Sequence, residues 1–472
     1  MKRFVIVALA TTFSFASLQH LSLKDAIDLV KKNNSEIKIA KFKEEIAKFQ
    51  TKIAKSYNIG ELDLTFNALR SNDAGNVFGF KLKSREATFR DFGFADFLGG
   101  VGYVLQNSPD YDTFKSYMTN QQMANQLLST APRDLNYPQA RNHFQTTLTY
   151  KLPLFTGFKL SMYGKISKAM GKMSHLDTKK VLNEKIYQTK KTFFDIALVE
   201  EYIANLKILK SHMDKLENII KSFKEEGYAK ETDVMEVKAK KYEVLSYLNQ
   251  AKLNRDLAYE YLSFLVGDEV ESIQKPQIEP KMIEADTKEL VNETIDLKKV
   301  KLAQKITKMN VKLQKSGFYP MVGAFGEYGS ADNKPFNQFF DKDFYTFGAQ
   351  LKWNIFSGGK TNAEVQKAKI EHLKVNEQYN LAKKGLALKI KQLKTAIKSK
   401  EYDIKALEAK YALDKKIYEM YEAKYKEGLE KISDVLIKHS QQIQTLLKLL
   451  KAKNERVQKI FELESLLDKE NR

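Results

Sequence analysis

The stretch YKEGLEKISDVL at residues 425–436 decides how the sequence is divided, because a related stretch, EEGYAKETDVM, occurs at residues 225–235. In both, a glycine (Gly227 or Gly428) is followed in the same register by a lysine, a hydroxyl residue, an aspartate and a valine. Glycine permits the left-handed residue that ends a helix, and aspartate favours the start of the next one. Both stretches are therefore predicted to be turns between helices.

The strands predicted before each turn repeat as well. TTLTYKLPLFTG (146–157) and YTFGAQLKWNIFSG (345–358) alternate apolar and polar residues, and the offset between them also separates the two glycine turns. ELDLTFNAL and MVGAFGEYG are predicted as their partner strands. Such self-similarity indicates internal duplication. We predict two structural repeats, residues 17–285 and 286–472, each with a helix, two strands, a long helix and a further helix.

The first residues, MKRFVIVALATTFSFA (1–16), have the cations, apolar run and small-residue cleavage site of an export signal. No other segment approaches the apolar length of a transmembrane helix, so entry into a membrane would require strands. The chain has no cysteine, which excludes disulfides and thiolate chemistry. The net charge of +20 comes from lysines scattered among nearly as many acids, which favours a solvated surface over nucleic-acid binding.

The predicted lengths suggest how the elements are used. A helix over residues 158–227 would be about 105 Å long, and the helices at 22–57 and 230–266 about 55 Å each. Four strands are too few to close a membrane barrel, and an open sheet would leave unpaired backbone groups in lipid. Several chains must therefore contribute their strands to one barrel. A closed barrel with polar residues inward is a pore, which helices would extend as a tube.

Four groups of motifs accompany this arrangement: LSLKDAIDLVKKNNSEIKIAK, LTYKLPLFTGFKL, LKWNIFSGGKTNAEVQKA and the two Gly-x-x-x-x-[ST]-Asp-Val turns. With these motifs the sequence resembles the TolC family of outer-membrane efflux ducts. The resemblance implies a mainly α fold with membrane β structure: a homotrimer whose chains each give four strands to a twelve-stranded β-barrel in the outer membrane, continued by a periplasmic α-helical barrel. It also implies a passive exit duct for efflux or type I secretion, opened by an inner-membrane transporter and a periplasmic adaptor protein.

The resemblance also implies roles for residues at the turns. The pore constriction is assigned to Asp434, as a ring of carboxylates that favours cations. The lock that holds the tip shut is assigned to Tyr425 with Asp233, beside Thr232. For the two aspartates, helix capping alone is the alternative interpretation.

Two positions depart from the family pattern. Ile437 stands where the family's prototype has a second aspartate, one helical turn from the first. Glu430 stands where it has an arginine. These departures predict a single-ring constriction and a weaker or rewired lock.

Aromatic residues mark the predicted strand ends: Phe155, Tyr345, Trp353 and Phe356. In a barrel they would form the girdle at the membrane interface, and otherwise they are ordinary sheet residues. The segment 71–143 between the first two strands is too long for a bare connector. We expect it to have local structure that covers or constricts the outer mouth, with an inert surface excursion as the alternative.

No catalytic, cofactor-binding or metal-binding pattern is present in the sequence. The histidines have no partners at metal-ligand spacing and are interpreted as structural or surface residues. No paired-carboxylate, Ser/His/Asp or phosphate-loop arrangement occurs in a suitable context. The rival to a duct is a soluble periplasmic helical-hairpin protein, such as an adaptor or a structural coiled coil, which would lack the alternating strands. The sequence does not identify the cargo or the class of pump.

Overall fold

The structure is a computed structural model that describes residues 18–276 and 280–468. The predicted signal peptide therefore lies outside the described residues. The chain divides into two compact units. The helical unit takes its described residues from the ranges 1–50, 166–309 and 367–472, and the sheet unit consists of Thr51–Lys165 and Asn310–Gln366.

Two series of elements follow one another along the chain. The first consists of α1 (Leu23–Asn33), α2 (Ser35–Ser56), β1 (Glu61–Ser71), α3 (Ala74–Lys83), α4 (Phe94–Gln106), α5 (Tyr111–Thr119), α6 (Gln121–Leu128), α7 (Arg133–Asn136), β2 (Arg141–Phe155), α8 (Lys159–Glu225) and α9 (Glu231–Val266). The second consists of α10 (Thr287–Glu293), α11 (Ile295–Lys315), β3 (Met321–Asp332), β4 (Asp343–Lys352), α12 (Lys360–Lys426) and α13 (Ile432–Ser465). Helices α8 and α12 have 67 residues each.

Each series begins with a broken helix. Asn34 separates α1 from α2, and Thr294 separates α10 from α11. The Asn34 side chain accepts the N–H of Glu36 at 3.0 Å and donates to the carbonyl of Leu265 at 3.1 Å. The Thr294 hydroxyl donates to the carbonyl of Val291 at 2.7 Å. Short polar side chains compete for backbone groups in this way, so the prediction of one continuous helix at the start of each series is wrong.

The helical unit has three buried apolar clusters. The first joins the C-terminal parts of α8 and α12 to the N-terminal parts of α9 and α13, beside the two glycine turns. We call this four-helix cluster the turn bundle; Leu206, Met213, Val237 and Val435 are buried in it. The second cluster packs α1 against α8 and α9, and the third packs α10 against α12 and α13. Each fully buried side chain of this size contributes about 2 kcal/mol to stability.

The sheet unit contains a four-stranded antiparallel sheet in the order β1-β2-β3-β4. Residues that pair across strands point to the same face, so the pairing register determines which side chains share each face of the sheet. The apolar face carries Leu62, Leu64, Phe66, Leu148, Tyr150, Tyr328, Phe347 and Leu351, all of them exposed. The polar face carries Asp63, Thr65, Asn67, Gln145, Thr147, Thr149, Glu327 and Thr346. The alternation predicted from the sequence is confirmed.

The last strand is shorter than predicted. Strand β4 ends at Lys352, so Trp353 and Phe356 lie beyond it. The indole N–H of Trp353 donates to the carbonyl of Phe318 at 3.1 Å. None of the helices within residues 18–276 and 280–468 has the length and apolar character needed to cross a membrane.

The segment predicted as a long loop between the first two strands is largely helical. We call residues 72–140 the insert; it contains α3 to α7 and a 3-10 turn at Phe89–Phe92. Three of its helices are capped by the side chains of Asp73, Asp110 and Asn120. The expected local structure is therefore present, and the cap residues are the sequence signal for it.

Candidate functional site

The two glycine turns end their helices in the same way. Gly227 and Gly428 have left-handed φ values of +85° and +75°. In each turn the glycine N–H and the next N–H bond back to the preceding helix, to the carbonyls of Lys224 and Phe223 in the first turn and of Tyr425 and Lys424 in the second. This is the Schellman arrangement, which glycine adopts without steric cost.

The aspartates that follow the two turns have different partners. The carboxylate of Asp233 accepts the N–H of Lys230 at 2.9 Å and so caps α9. No hydrogen bond or ion pair links the half-buried carboxylate of Asp434 to another residue that the structure describes. Thr232, next to Asp233, is exposed. Both carboxylate oxygens of Asp434 are thus without a partner in the described chain, whereas one oxygen of Asp233 is engaged in the cap.

Tyr425 is buried inside the turn bundle. Its ring centre lies 5.8 Å from that of Phe223. Its hydroxyl has no hydrogen-bond partner among the described residues, so the expected bond to Asp233 is not made within this chain. Burial, together with the negative charge of Asp233, raises the pKa of Tyr425 to about 12. The hydroxyl is therefore neutral at physiological pH and lies near Asp233 without bonding to it.

The two positions that depart from the family pattern are both at the surface of the turn. Glu430 pairs with Lys424, with 3.4 Å between carboxylate and ammonium. Lys424 and Lys438 lie over the ring of Tyr421, at 5.7 and 5.4 Å from its centre. Ile437 is exposed. The turn is therefore held by contacts within α12 and α13 and the connection between them.

The turn bundle also contains buried polar residues to which the sequence alone assigns no role at the turns. His439 is only 2% exposed, and its ring centre lies 4.8 Å from that of Tyr418, which in turn stacks on His212. The Nε2 atom of His439 and the Oε1 atom of Gln442 have no hydrogen-bond partner in the described chain. Burial lowers the pKa of His439 to about 4. The signal was present, because His439 and Gln442 occupy apolar-stripe positions of α13.

The predicted interface aromatics lie at both ends of the sheet. Tyr345 is near the start of β4, whereas Phe155, at the end of β2, and Trp353 and Phe356, after β4, are at the opposite end. Tyr345, Trp353 and Phe356 are exposed, and Phe155 packs edge-on against Phe158 at 5.5 Å. Two aromatic bands separated by an apolar face are typical of a membrane-spanning sheet.

We expect Tyr425→Phe to stabilise the turn bundle by about 1 kcal/mol, since it removes a buried hydroxyl that has no partner. Amide hydrogen exchange of α12 and α13 measures this change, and Tyr228→Phe, at an exposed position, is the control. Faster exchange in Tyr425→Phe would show instead that the hydroxyl is bonded in the assembled protein, as the lock requires.

Part of the sequence and the fold of the chain are similar to those of known outer membrane proteins. Residues 288–468 match the family model described as outer membrane efflux protein. No curated protein matches the chain. Among solved structures, the CmeC outer membrane channel of Campylobacter jejuni is 17% identical, with a TM-score of 0.73 over 95% of this chain and 87% of that one.

Two further structures have the same fold. The outer membrane protein VceC of Vibrio cholerae is 14% identical, with a TM-score of 0.72 over 94% of both chains. The open state of the MtrE outer membrane channel of Neisseria gonorrhoeae is also 14% identical, with a TM-score of 0.72 over 94% of this chain and 88% of that one. At such identities the structures establish the fold, and the family model adds a similarity over residues 288–468. The chain therefore has the fold of these outer membrane channels, and residues 288–468 are similar to the outer membrane efflux protein family.

Proposed function

We propose that this protein is the passive exit duct, in the outer membrane, of a tripartite efflux or type I secretion system. The observation that carries the proposal is the sheet, whose apolar face is exposed and whose other face is polar. A sheet of this kind is stable in a bilayer only when it closes around a polar interior. The protein is a channel and not an enzyme.

The duct requires several copies of the chain. Strands β1 and β4 are the edges of the sheet, and in one chain each pairs along one side only. Pairing of β1 with β4 of a neighbouring copy removes both edges, and three copies would make a barrel of about twelve strands. The homotrimer is therefore the assembly that we propose.

Exposed apolar residues on the helices support the same assembly. On α9 they are Leu253, Leu257 and Phe264, and on α12 they are Ile370, Leu373, Leu381 and Leu388. The spacing places each set along one side of its helix. Stripes of this size are typical of surfaces that pack against another chain.

We propose that residues 17–285 and 286–472 are two structural repeats. Both series contain a broken helix, two strands, a 67-residue helix and a shorter helix. The breaks at Asn34 and Thr294 occupy equivalent places in the two series. Two repeats in each of three copies would give six similar helical hairpins around the duct.

The turn bundle is the proposed gate. Its apolar core would hold the four helix ends together when the duct is closed, and Asp434 would supply one carboxylate per chain to a ring at the constriction. Three carboxylates in a narrow opening concentrate negative potential and favour cations. The exposed turn residues Tyr228 and Leu429 are accessible to a periplasmic adaptor, and an inner-membrane transporter would supply the energy.

The function is tested by bilayer conductance and particle mass measured on one detergent-purified preparation. We expect cation-selective channels from a particle of three chains. A particle that stays soluble without detergent and is silent in the bilayer would favour the helical scaffold protein and contradict the duct.

Asp434→Asn tests the constriction. Loss of the ring charge is expected to weaken the block of single-channel current by multivalent cations and to reduce cation selectivity. The matched control is Asp256→Asn, which removes the same charge from a carboxylate that is paired with Arg255 on α9. Equal block in the native protein and in Asp434→Asn would refute the assignment of Asp434.

A further inference from the structure

The insert is fixed to one end of the sheet. The guanidinium of Arg85 donates to the carbonyls of Asp341 and Asp343, at the start of β4. Glu86 pairs with Arg141, at the start of β2, and with Lys342. These contacts hold the end of α3 against the start of β2 and against the start of β4 with the residues just before it.

The charges in this anchor are well matched. Burial raises the pKa of Glu86, but its hydrogen bonds to Lys342 and Arg141 outweigh that effect and keep the pKa below its usual value. The ammonium of Lys342 also lies 3.0 Å from the carboxylate of Asp332. Removing one member would leave a buried charge uncompensated, so the insert is held as part of the sheet unit.

The insert lies on the polar face of the sheet. Phe80 of α3 stacks on His143, with ring centres 4.1 Å apart and planes within 3°. Lys83 reaches Gln145 at 3.4 Å. His143 and Gln145 belong to the same face of β2 as Thr147 and Thr149. In a closed barrel this face lines the pore, so the insert begins inside the rim and not on the lipid side.

Helix α4 of the insert has an exposed apolar stripe. Phe94, Leu98, Val101 and Leu105 follow one another at spacings of four, three and four residues, which places them along one side of the helix. Leu98 is 51% exposed, and no residue of α4 is buried. Next to the stripe, Gly102 has open space where a Cβ would be. Another helix could therefore approach α4 closely.

The charge around α4 excludes an anionic lipid surface as its partner. Between Asp91 and Lys115 the sequence has no lysine or arginine, but it has three aspartates, at positions 96, 110 and 112. Negatively charged head groups would repel this segment. A second copy of the same helix can instead turn its own apolar stripe to this one, since Asp96 lies on the opposite side of α4 from the stripe.

The position of the insert in the chain would place the inserts of neighbouring chains close together in the proposed trimer. The insert follows β1, which is an edge of the sheet and, in the proposed trimer, the strand that meets the neighbouring chain. Each seam of the barrel therefore has an insert beside it. Three inserts that start on the pore side of three seams converge toward the threefold axis.

We propose that α4 of each chain packs through this apolar stripe against α4 of the neighbouring copies and constricts the outer mouth of the duct. The constriction is separate from the turn bundle, since it lies at the strand ends to which no long helix is joined. The inference rests on the trimeric duct proposed above. It assigns the insert a partner, namely the same segment of the other copies.

The absence of cysteine allows a direct test. Under mild oxidation, Leu98→Cys is expected to give disulfide-linked pairs of chains and a loss of conductance that a reductant restores. Tyr103→Cys is the matched control, because Tyr103 is 70% exposed on the same helix but about half a turn around it from the stripe. We expect no link between chains in this variant.

The outcomes separate this inference from the proposed function. A preparation that is not trimeric or does not conduct contradicts the duct itself. A conducting trimer in which Leu98→Cys forms no link, or links no better than Tyr103→Cys, overturns the packing of α4 and leaves the duct intact. Reaction of Leu98→Cys only with a lipid-soluble thiol reagent would likewise overturn it and place α4 against lipid.

Discussion

Leu206→Ala is expected to lower the free energy that opposes opening of the turn bundle by about 3 kcal/mol. Leu206 lies on α8 and is 0% exposed within the bundle. Its truncation removes apolar contacts and leaves a cavity that the surrounding helices fill only in part. Because we propose the bundle as the gate, open-channel conductance events should become more frequent while the conductance of the open state stays the same. Amide hydrogen exchange along α8, α9, α12 and α13 gives the energetic measurement.

The same helix supplies the control for this prediction. Ile208 is 57% exposed, two residues along α8 from Leu206. Ile208→Ala removes a similar apolar volume without creating a cavity, so protection of the turn bundle should be nearly unchanged. Equal loss of protection in both variants would mean that the copies bury Ile208 as well. If Leu206→Ala left the amide protection of the turn bundle and the frequency of channel opening unchanged, the role of the apolar core would be contradicted.

Acidification from pH 7 to pH 4 is expected to weaken the turn bundle by about 3 kcal/mol per chain through His439. Burial, with a smaller effect from His212, lowers the pKa of this imidazole from 6.5 to about 4, whereas Glu422 acts in the opposite direction. Lys240 on α9 adds a further positive charge. The neutral ring is therefore favoured in the folded bundle.

The direction of this pH effect on the stability of the turn bundle follows from the lowered pKa of His439. In the opened bundle His439 regains its ordinary pKa of 6.5, so the opened form takes up a proton first as the pH falls. The stabilisation is complete above pH 6.5, decreases as the pH falls below that value, and levels off near pH 4. Protection factors of α13 amides, corrected for the intrinsic exchange rate, give the profile.

His439→Leu isolates this effect from the titration of carboxylates. In this variant the part of the loss of turn-bundle stability between pH 6.5 and 4 that comes from the imidazole should be absent, and only the part due to carboxylates should remain. His20→Gln, at an exposed position in the described N-terminal segment, should behave like the native protein. Identical profiles for the native protein and His439→Leu would show that the buried imidazole does not titrate with opening.

The sequence by itself determined the large-scale organisation of this protein. Long runs with helical periodicity predict α8 and α12, and alternation predicts each strand, because both patterns depend on which side chains face water or an apolar surface. Gly227 and Gly428 predict the turns, since the left-handed conformation is a local backbone property. The family resemblance carried by these motifs led to the same fold that the comparisons show.

Other features were decided only by the tertiary structure. Asn34 breaks a helix because its amide also reaches Leu265, which is distant in sequence. The insert was recognised as structured, but its attachment to the polar face depends on contacts of Arg85 and Glu86 with remote strand ends. Asp233 and Asp434 look equivalent in sequence, yet only the first caps its helix. Hydrogen bonds and ion pairs between distant residues depend on where the folded chain places both partners, which a local pattern does not encode.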